Sequence, residues 1–343
     1  MSYTTINKSS LHMNTKLYTG NGGTQSISSV GFKPDFTWIK QRNGTENHAL
    51  FDAVRGATKE ISSNRTNVES TVATSLTGFD SDGFTLGSWS RTNNNNDTYA
   101  SWNWKANGAG STIYDGSINS TVSANTTAGF SIVSFTTGSS GSSTFGHGLG
   151  STPSVIIVRP RNNTSGWFVY HKTLGNGNYL RLNDTDASAS SSLFGNTTPT
   201  SSVFTINSGA FGGNYSSIAY CFAEKTGYSK FGSYVGNGSS DGSFCYLGFK
   251  PAFLIAKRTD AGAPWVMYDS KRDIDNPSNH RLLSNATNAE LVEDANTNID
   301  FLSNGFKTRN ADADSNASGG SYIFMAFAES PLVGTNNVPC TAR

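Results

Sequence analysis

The chain has 343 residues, with Lys+Arg 25 against Asp+Glu 24, a formal net charge of +1, and 14% charged residues. That balance excludes the basic face that binding to nucleic acid requires. With 12% aromatic residues it also excludes a disordered polyelectrolyte or a flexible linker. The length suits two or three domains with a sizeable core, and no run of ~18 apolar residues announces a helical membrane span.

Residues 1–13 are polar, lack the apolar stretch of a secretory leader, and read as an extended N-terminal arm. A motif follows: Tyr18-Thr-Gly-Asn-Gly, then Gly31-Phe32-Lys33-Pro34. It returns as Tyr234-Val-Gly-Asn-Gly and Gly248-Phe249-Lys250-Pro251, with a divergent copy at Gly148-Leu-Gly-Ser-Thr-Pro153. The registers agree when counted forward from Pro34, Pro153 and Pro251. Six residues on stand Lys40, Arg159 and Lys257, each closing an apolar run (FTWIK, VIIVR, FLIAK). Seventeen on stand Phe51, Tyr170 and Tyr268; eighteen on, Asp52, His171 and Asp269. Ser63-Asn64, Leu182-Asn183 and Ser284-Asn285 come next, then Phe84, Phe204 and Phe306. Each copy closes on an aromatic strand: YASWNWK (99–105), IAYCFAE (218–224) and YIFMAFAE (322–329). A repeated ancestral unit is the reading of this pattern.

The apolar runs are short, rich in β-branched and aromatic residues, and bounded by Gly, Asn and Ser, which is a strand signature. Asp82-Gly83 and Asn304-Gly305 predict tight type I′ hairpins. The best helical candidate is the stretch 286–295. The expected fold is all-β: three tandem homologous antiparallel β-sandwich modules of jelly-roll type, each burying alternate side chains between two sheets. A propeller is disfavoured, because three blades are too few and each copy is too long for one blade. The expected boundaries are arm 1–13, modules 14–112, 113–226 and 227–332, and a C-terminal extension 333–343. SINSTVSANTTAG (117–129) reads as a spacer, whereas the short AEKTGYSKFGSY (223–234) implies tight packing of modules two and three.

Chemistry is sparse. There is no HExxH, GxSxG or P-loop, and His12, His48, His147, His171 and His280 are scattered. Asp52 and Asp269, each followed three residues later by Arg55 or Arg272, form the tempting carboxylate pair for glycoside hydrolysis. A local ion pair pinning a turn is the better reading, since the second copy carries His171 and Leu174 there. Asp80-Ser-Asp82 and Asn183-Asp-Thr-Asp186 resemble pieces of a calcium loop without the closing Glu, so neither metal nor cofactor is expected. Cys221 and Cys245 read as small buried hydrophobes; with Cys340 they make an odd, unpaired set suited to a reducing cytoplasm. The N-x-S/T triplets, such as Asn43-Gly-Thr, read as chance. Trp167 and Trp265 share a repeat position and read as core. Trp89, in LGSWSRTNNNND, has no aromatic counterpart and is the candidate ligand-binding residue, with contact to a neighbouring chain as the competing reading.

KLYTGNGGTQSISSVGFKPDFTWIKQRNG, ALFDAVRGATKEISSN, WFVYHKTLGNGNYLRLND and YIFMAFAESPLVGTNNVP resemble a repeat in virion proteins of marine tailed bacteriophages, cyanophages included. The resemblance spans nearly the whole chain from residue 14. It implies concanavalin-A-like (laminin-G-like) sandwiches and a structural or adhesive role, with no catalytic residues to carry over. The expectation is a non-enzymatic virion surface protein, made in the host cytoplasm, in a tail fibre or adhesin that touches host-surface glycans. Other virion proteins are its expected partners, and a homo-oligomer, with a trimer as one form, its expected state. The alternatives are a capsid decoration protein and a polysaccharide-degrading enzyme.

Overall fold

In the strand Phe36–Gln41 every residue is buried, and alternate side chains go to different cores. Phe36 and Trp38 enter one cluster, and Ile39 enters another. A strand pleat sends successive side chains to opposite faces, so this sheet is covered on both sides. The computed structural model describes residues 4–292 and 297–333 and is all-β and antiparallel throughout its named strand pairs.

Three sheets share one strand order and are called walls here. The first runs Met13–Thr19, Thr98–Trp104, Phe36–Gln41, Ala49–Asp52. The third runs Ser229–Val235, Ser321–Pro331, Phe249–Arg258, Trp265–Asp269, Leu282–Leu283. The second, Phe130–Thr136, Ser216–Phe222, Val155–Pro160, Phe168–His171, Asn178–Arg181, lies within a larger sheet. Registers agree as well: Phe36 faces Trp104 and Asp52, Val155 faces Phe222 and His171, and Phe253 faces Phe327 and Asp269. Each wall packs against its own small outer sheet, giving β-sandwich layers with three separate cores.

The fourth core is central and belongs to no single sandwich. The inner faces of all three walls meet in one cluster. Phe36 stacks on Tyr220 at 4.3 Å, Trp102 meets Phe253 at 5.9 Å, and Phe222 meets Phe327 at 5.9 Å. Trp104 touches both other walls, with centroids 6.4 Å from Phe222 and 5.7 Å from Phe327. A void of ≈ 20 Å³, about the size of one water, remains among these largely apolar side chains. Burying each large aromatic contributes roughly 1.5–3 kcal/mol, so no wall can hide its inner face without the other two.

Several expectations change. Residues 4–12 are not an extended arm: Ser9–Leu11 is a 3₁₀ turn, and Ile6, only 2% exposed, plugs the central core. His12 meets Tyr228 edge-on at 5.9 Å. The stretch 117–129 is not a spacer, because Ser120–Asn125 pairs with Phe130–Thr136 and buries Val122, while Ser111–Ile113 adds a further strand. Residues 286–292 form no helix: the Glu290 N–H bonds to the Arg42 carbonyl at 2.7 Å, tying the segment to the first wall. Residues 293–296 and 334–343, with Cys340, lie outside the described residues. The helices among the described residues are Ser90–Asn93 and Ser208–Phe211, four residues each.

The expected hairpins form, but Ser81-Asp82 and Ser303-Asn304 are the two-residue loops, and none of these four has positive φ. They are therefore not type I′. Gly83 and Gly305 are required by close approach instead: a Cβ there would lie 1.8 Å from the Ile27 carbonyl oxygen and 2.0 Å from that of Cys245.

Trp104→Ala removes the ring that touches both other walls and should cost about 3–5 kcal/mol. Urea denaturation of the full chain checks this: a loss under about 1 kcal/mol contradicts the shared core.

Candidate functional site

The repeated prolines set where each inward-facing run begins. Pro34 and Pro153 are buried two residues before the first core side chain, Phe36 or Val155. Pro251 lies inside its strand at a register shift. Strand starts and bulges are where the missing N–H is tolerated.

Asp52, His171 and Asp269 end equivalent strands and all have zero exposure. Asp52 accepts the N–H groups of Val54 (3.1 Å) and Arg55 (2.8 Å), and its other oxygen pairs with Arg55 Nε. That same oxygen accepts the Tyr220 hydroxyl of the second wall at 2.8 Å. Asp269 repeats the pattern: Lys271 and Arg272 N–H at 3.0 and 2.9 Å, Arg272 Nε at 2.5 Å, and Trp102 Nε1 of the first wall at 3.0 Å. At His171, Nδ1 accepts the Thr173 N–H (3.2 Å) and Nε2 faces the Phe324 carbonyl of the third wall (3.4 Å). One position therefore links first wall to second, second to third, and third to first. Burial pushes the Asp269 carboxyl up, but Arg272 beside it holds the net value below the usual range.

The charges continue across the seams. Arg55 pairs with Glu69 (3.2 Å), which pairs with Arg161 of the second wall (2.9 Å). Arg272 pairs with Glu290 (2.8 Å), which pairs with Arg42 of the first wall (2.7 Å). Lys40, Arg159 and Lys257 are also fully buried and donate to carbonyl oxygens: Gly44 (3.0 Å), Arg65 (3.1 Å) and Thr185 (3.1 Å) respectively, among others. Burial lowers both lysines to about 8.

A third set is legible only in part from the sequence: Trp167 and Trp265 share a repeat position, and His48 completes it. His48, Trp167 and Trp265 each stand fourteen residues after their proline. Their ring nitrogens reach Leu283 O (2.9 Å), Ser62 O (2.8 Å) and Arg181 O (2.8 Å), each on a neighbouring unit. Their backbone N–H groups bond to Asn64 (3.1 Å), Asn183 (2.7 Å) and Asn285 (2.8 Å) side chains. The shared count was the available signal; a histidine among tryptophans concealed it.

Trp89 lies elsewhere, half-buried ahead of the Ser90–Asn93 turn and packed on the first outer core. The Arg91 guanidinium sits 4.4 Å over its ring and bonds to Glu60 at 3.0 Å. Together with Arg65, Asn67 and Val68 they line a surface cleft of ≈ 350 Å³. Its loop is held from the second wall by Arg159, which donates to Ser62 O, Arg65 O and Asn67 O. Asn94, Asn95 and Asn96 beside it are exposed, whereas Asn93 is buried and donates to Asn21, Gly23 and Gly87. In the third unit Asn316 plays that part, and Arg281–Asp314 (3.0 Å) stands where Glu60–Arg91 does, with the charges exchanged.

In the first calcium-loop fragment Asp82 accepts Ser29 and Gly31 N–H and Asp80 accepts the Thr85 hydroxyl; in the second, Asn183 accepts the Trp167 N–H and Asp184 the Thr185 N–H. Among the described residues no three His, Cys, Asp or Glu gather as a metal site. Cys221 and Cys245 are buried free thiols, and burial pushes both up, Cys245 to about 12. No described helix is long and apolar enough to cross a membrane.

A family model described as Domain of unknown function (DUF7483) matches residues 8–331, so the chain belongs to that family. No curated protein and no solved structure matches it.

His48 and His171 make a pH prediction. At His48, Nδ1 accepts the Trp38 Nε1–H at 2.8 Å, so the ring is neutral with its proton on Nε2, the tautomer that donates to Leu283 O. Burial, with Lys40 nearby, lowers His48 to about 3; burial lowers His171 to about 4. Both lie below the unfolded value of about 6.5, so their stability is intact above that pH and lost as pH falls through it towards 4 and 3. Each histidine adds a slope of about 1.4 kcal/mol per pH unit in that window. Urea denaturation at pH 7 to 4.5 should show it, and His171→Asn should reduce the slope by one proton; an unchanged slope contradicts the assignment.

Proposed function

We propose that this DUF7483 member is a non-enzymatic surface protein of a tailed-phage particle, a fibre or adhesin component that presents polar loops to host-surface glycans. The observation that carries the reading is where the polar residues are spent. The repeat-equivalent carboxylates, Asp52 and Asp269, have zero exposure and are saturated by arginine, backbone and aromatic donors. A glycosidase carboxylate must reach its substrate. The interior polar groups hold walls together, and the exposed polar residues lie in the loops, Asn94, Asn95 and Asn96 among them.

Within this reading the three wall-and-outer-sheet pairs descend from one duplicated unit of concanavalin-like type. The shared strand order and the cyclic seam contacts support it. The partners are other virion proteins and a neutral glycan, without nucleic acid, membrane insertion, metal or cofactor, and the assembly is a homo-oligomer. Low charge and abundant Asn, Ser and Gly suit hydrogen bonding to neutral sugars. The likeness to phage virion repeats supports the location. A capsid decoration protein is the second reading: the same rigid, charge-poor body would serve a protein clamped onto a shell.

Two measurements test the proposal. Quantitative mass spectrometry of purified particles should find a small multiple of three or six copies; hundreds of copies would favour decoration. On a glycan array, binding should be lost in Trp89→Ala while circular dichroism shows the variant to be folded. Turnover of a host polysaccharide, abolished by Asp269→Asn in a folded variant, would overturn the non-enzymatic reading.

A further inference from the structure

The three outer sheets offer an internal comparison at their edges. Ile27, Phe145 and Cys245 face Phe84, Phe204 and Phe306, so Ser26, Thr144 and Phe244 occupy one equivalent position. In the second unit that edge is covered by the chain itself. Ser117 N–H bonds to Thr144 Oγ1 (2.8 Å), Thr144 N–H to Ser117 Oγ (2.9 Å), and Ile118 N–H to the Thr144 carbonyl (3.2 Å). Ile118 makes a parallel bridge with Phe145, and Ser120 Oγ bonds to the Gly146 carbonyl (2.8 Å). The segment is held along that edge by one isolated parallel bridge, one main-chain bond and the paired Ser117 and Thr144 hydroxyls.

In the third unit nothing among the described residues is added there. The edge strand Phe244–Tyr246 and the edge strand Ser229–Val235 flank a groove of ≈ 500 Å³. Lys230 stands in for Ser120: its Nζ donates to the Tyr246 carbonyl at 2.8 Å and lies 5.3 Å from the ring centroid. Ser243 Oγ closes the other end on the Val235 carbonyl at 2.6 Å. The rim is apolar: Phe244 is 47% exposed, Tyr246 49% and Val235 61%. The fold does not need those aromatics, because Ser26 and Thr144 fill the equivalent place of Phe244. Exposed aromatics on an edge strand gain their energy from cross-strand pairing once a neighbour arrives.

We propose that the edge Phe244–Tyr246 is a strand-addition site for another polypeptide: a neutral, extended segment with apolar side chains, running parallel to it as residues 117–120 run along Thr144–Gly146. Main-chain bonds to Phe244 supply register, and the Phe244 and Tyr246 rings supply apolar contact. The proposal stands apart from the glycan reading, since it concerns a different surface and a different ligand.

The test uses the full chain and a capped, uncharged synthetic peptide of residues 116–121, GSINST, as the probe strand. Two-dimensional NMR titration should give saturable shifts centred on residues 229–235 and 243–246. Phe244→Pro removes the N–H without a place in the outer-sheet ladder to lose, and should weaken binding at least about tenfold; Phe244→Thr, which keeps the N–H and loses the ring, should weaken it by less. Unchanged melting temperatures show that both variants are folded. No saturable binding by the wild type, equal binding by Phe244→Pro, or saturation of the groove by a neutral hexasaccharide instead of the peptide overturns the proposal.

Discussion

The structure depends on the burial of one inner face per wall against the other two. The closing strands bring Trp102 and Trp104, Tyr220 and Phe222, and Met325 and Phe327 to a common interior. No wall meets its own copy there; each meets two others, so the contacts run cyclically. An apolar face of this size exposed to water would cost more than the marginal stability of an ordinary domain. The unit that folds is therefore the trio, although each wall has a private outer sheet and a private outer core.

Polar groups inside such a body must be satisfied, and the seams are where this happens. Asp52 with Arg55, and Asp269 with Arg272, are fully buried pairs whose remaining lone pairs are taken by backbone N–H groups and by Tyr220 or Trp102 from the next wall. Buried pairs add little net stability over apolar replacements but punish any mismatch, so they specify register. The second unit reaches the same end without charge, through His171 and through the Ser188 N–H on the Thr259 carbonyl. Glu60–Arg91 and Arg281–Asp314, with signs exchanged, show the same tolerance: the geometry persists while the chemistry at each place varies.

Much of this was legible in the residues, and what was not has definite causes. The strands and the repeated order followed from alternation, Gly-Asn punctuation and spacing from three prolines. The local Asp–Arg pinning of a turn was also readable, because both partners lie within three residues. The central core was not, because a run such as FTWIK looks alike whether its second face meets another sheet of the same unit or a different unit. The seam was hidden for the same reason: Tyr220 and Asp52 are 168 residues apart. Ile6 lay in a polar setting that masked its role as a plug, and Ser120–Asn125 lay in a Ser/Thr-rich stretch whose alternation is carried by Val122 and Ala124 alone. Trp89 stands out in the sequence because it is unlike its counterparts. Phe244 and Tyr246 could have been found by the same test, but a gap of one residue between the first and third copies obscured the alignment.

The central claim is that three walls share one core and fold as one unit. Differential scanning calorimetry of the full chain tests it most directly. The account predicts a single transition whose calorimetric and van't Hoff enthalpies agree. Two or three resolved transitions, each carrying roughly the enthalpy of a hundred-residue domain, would contradict it.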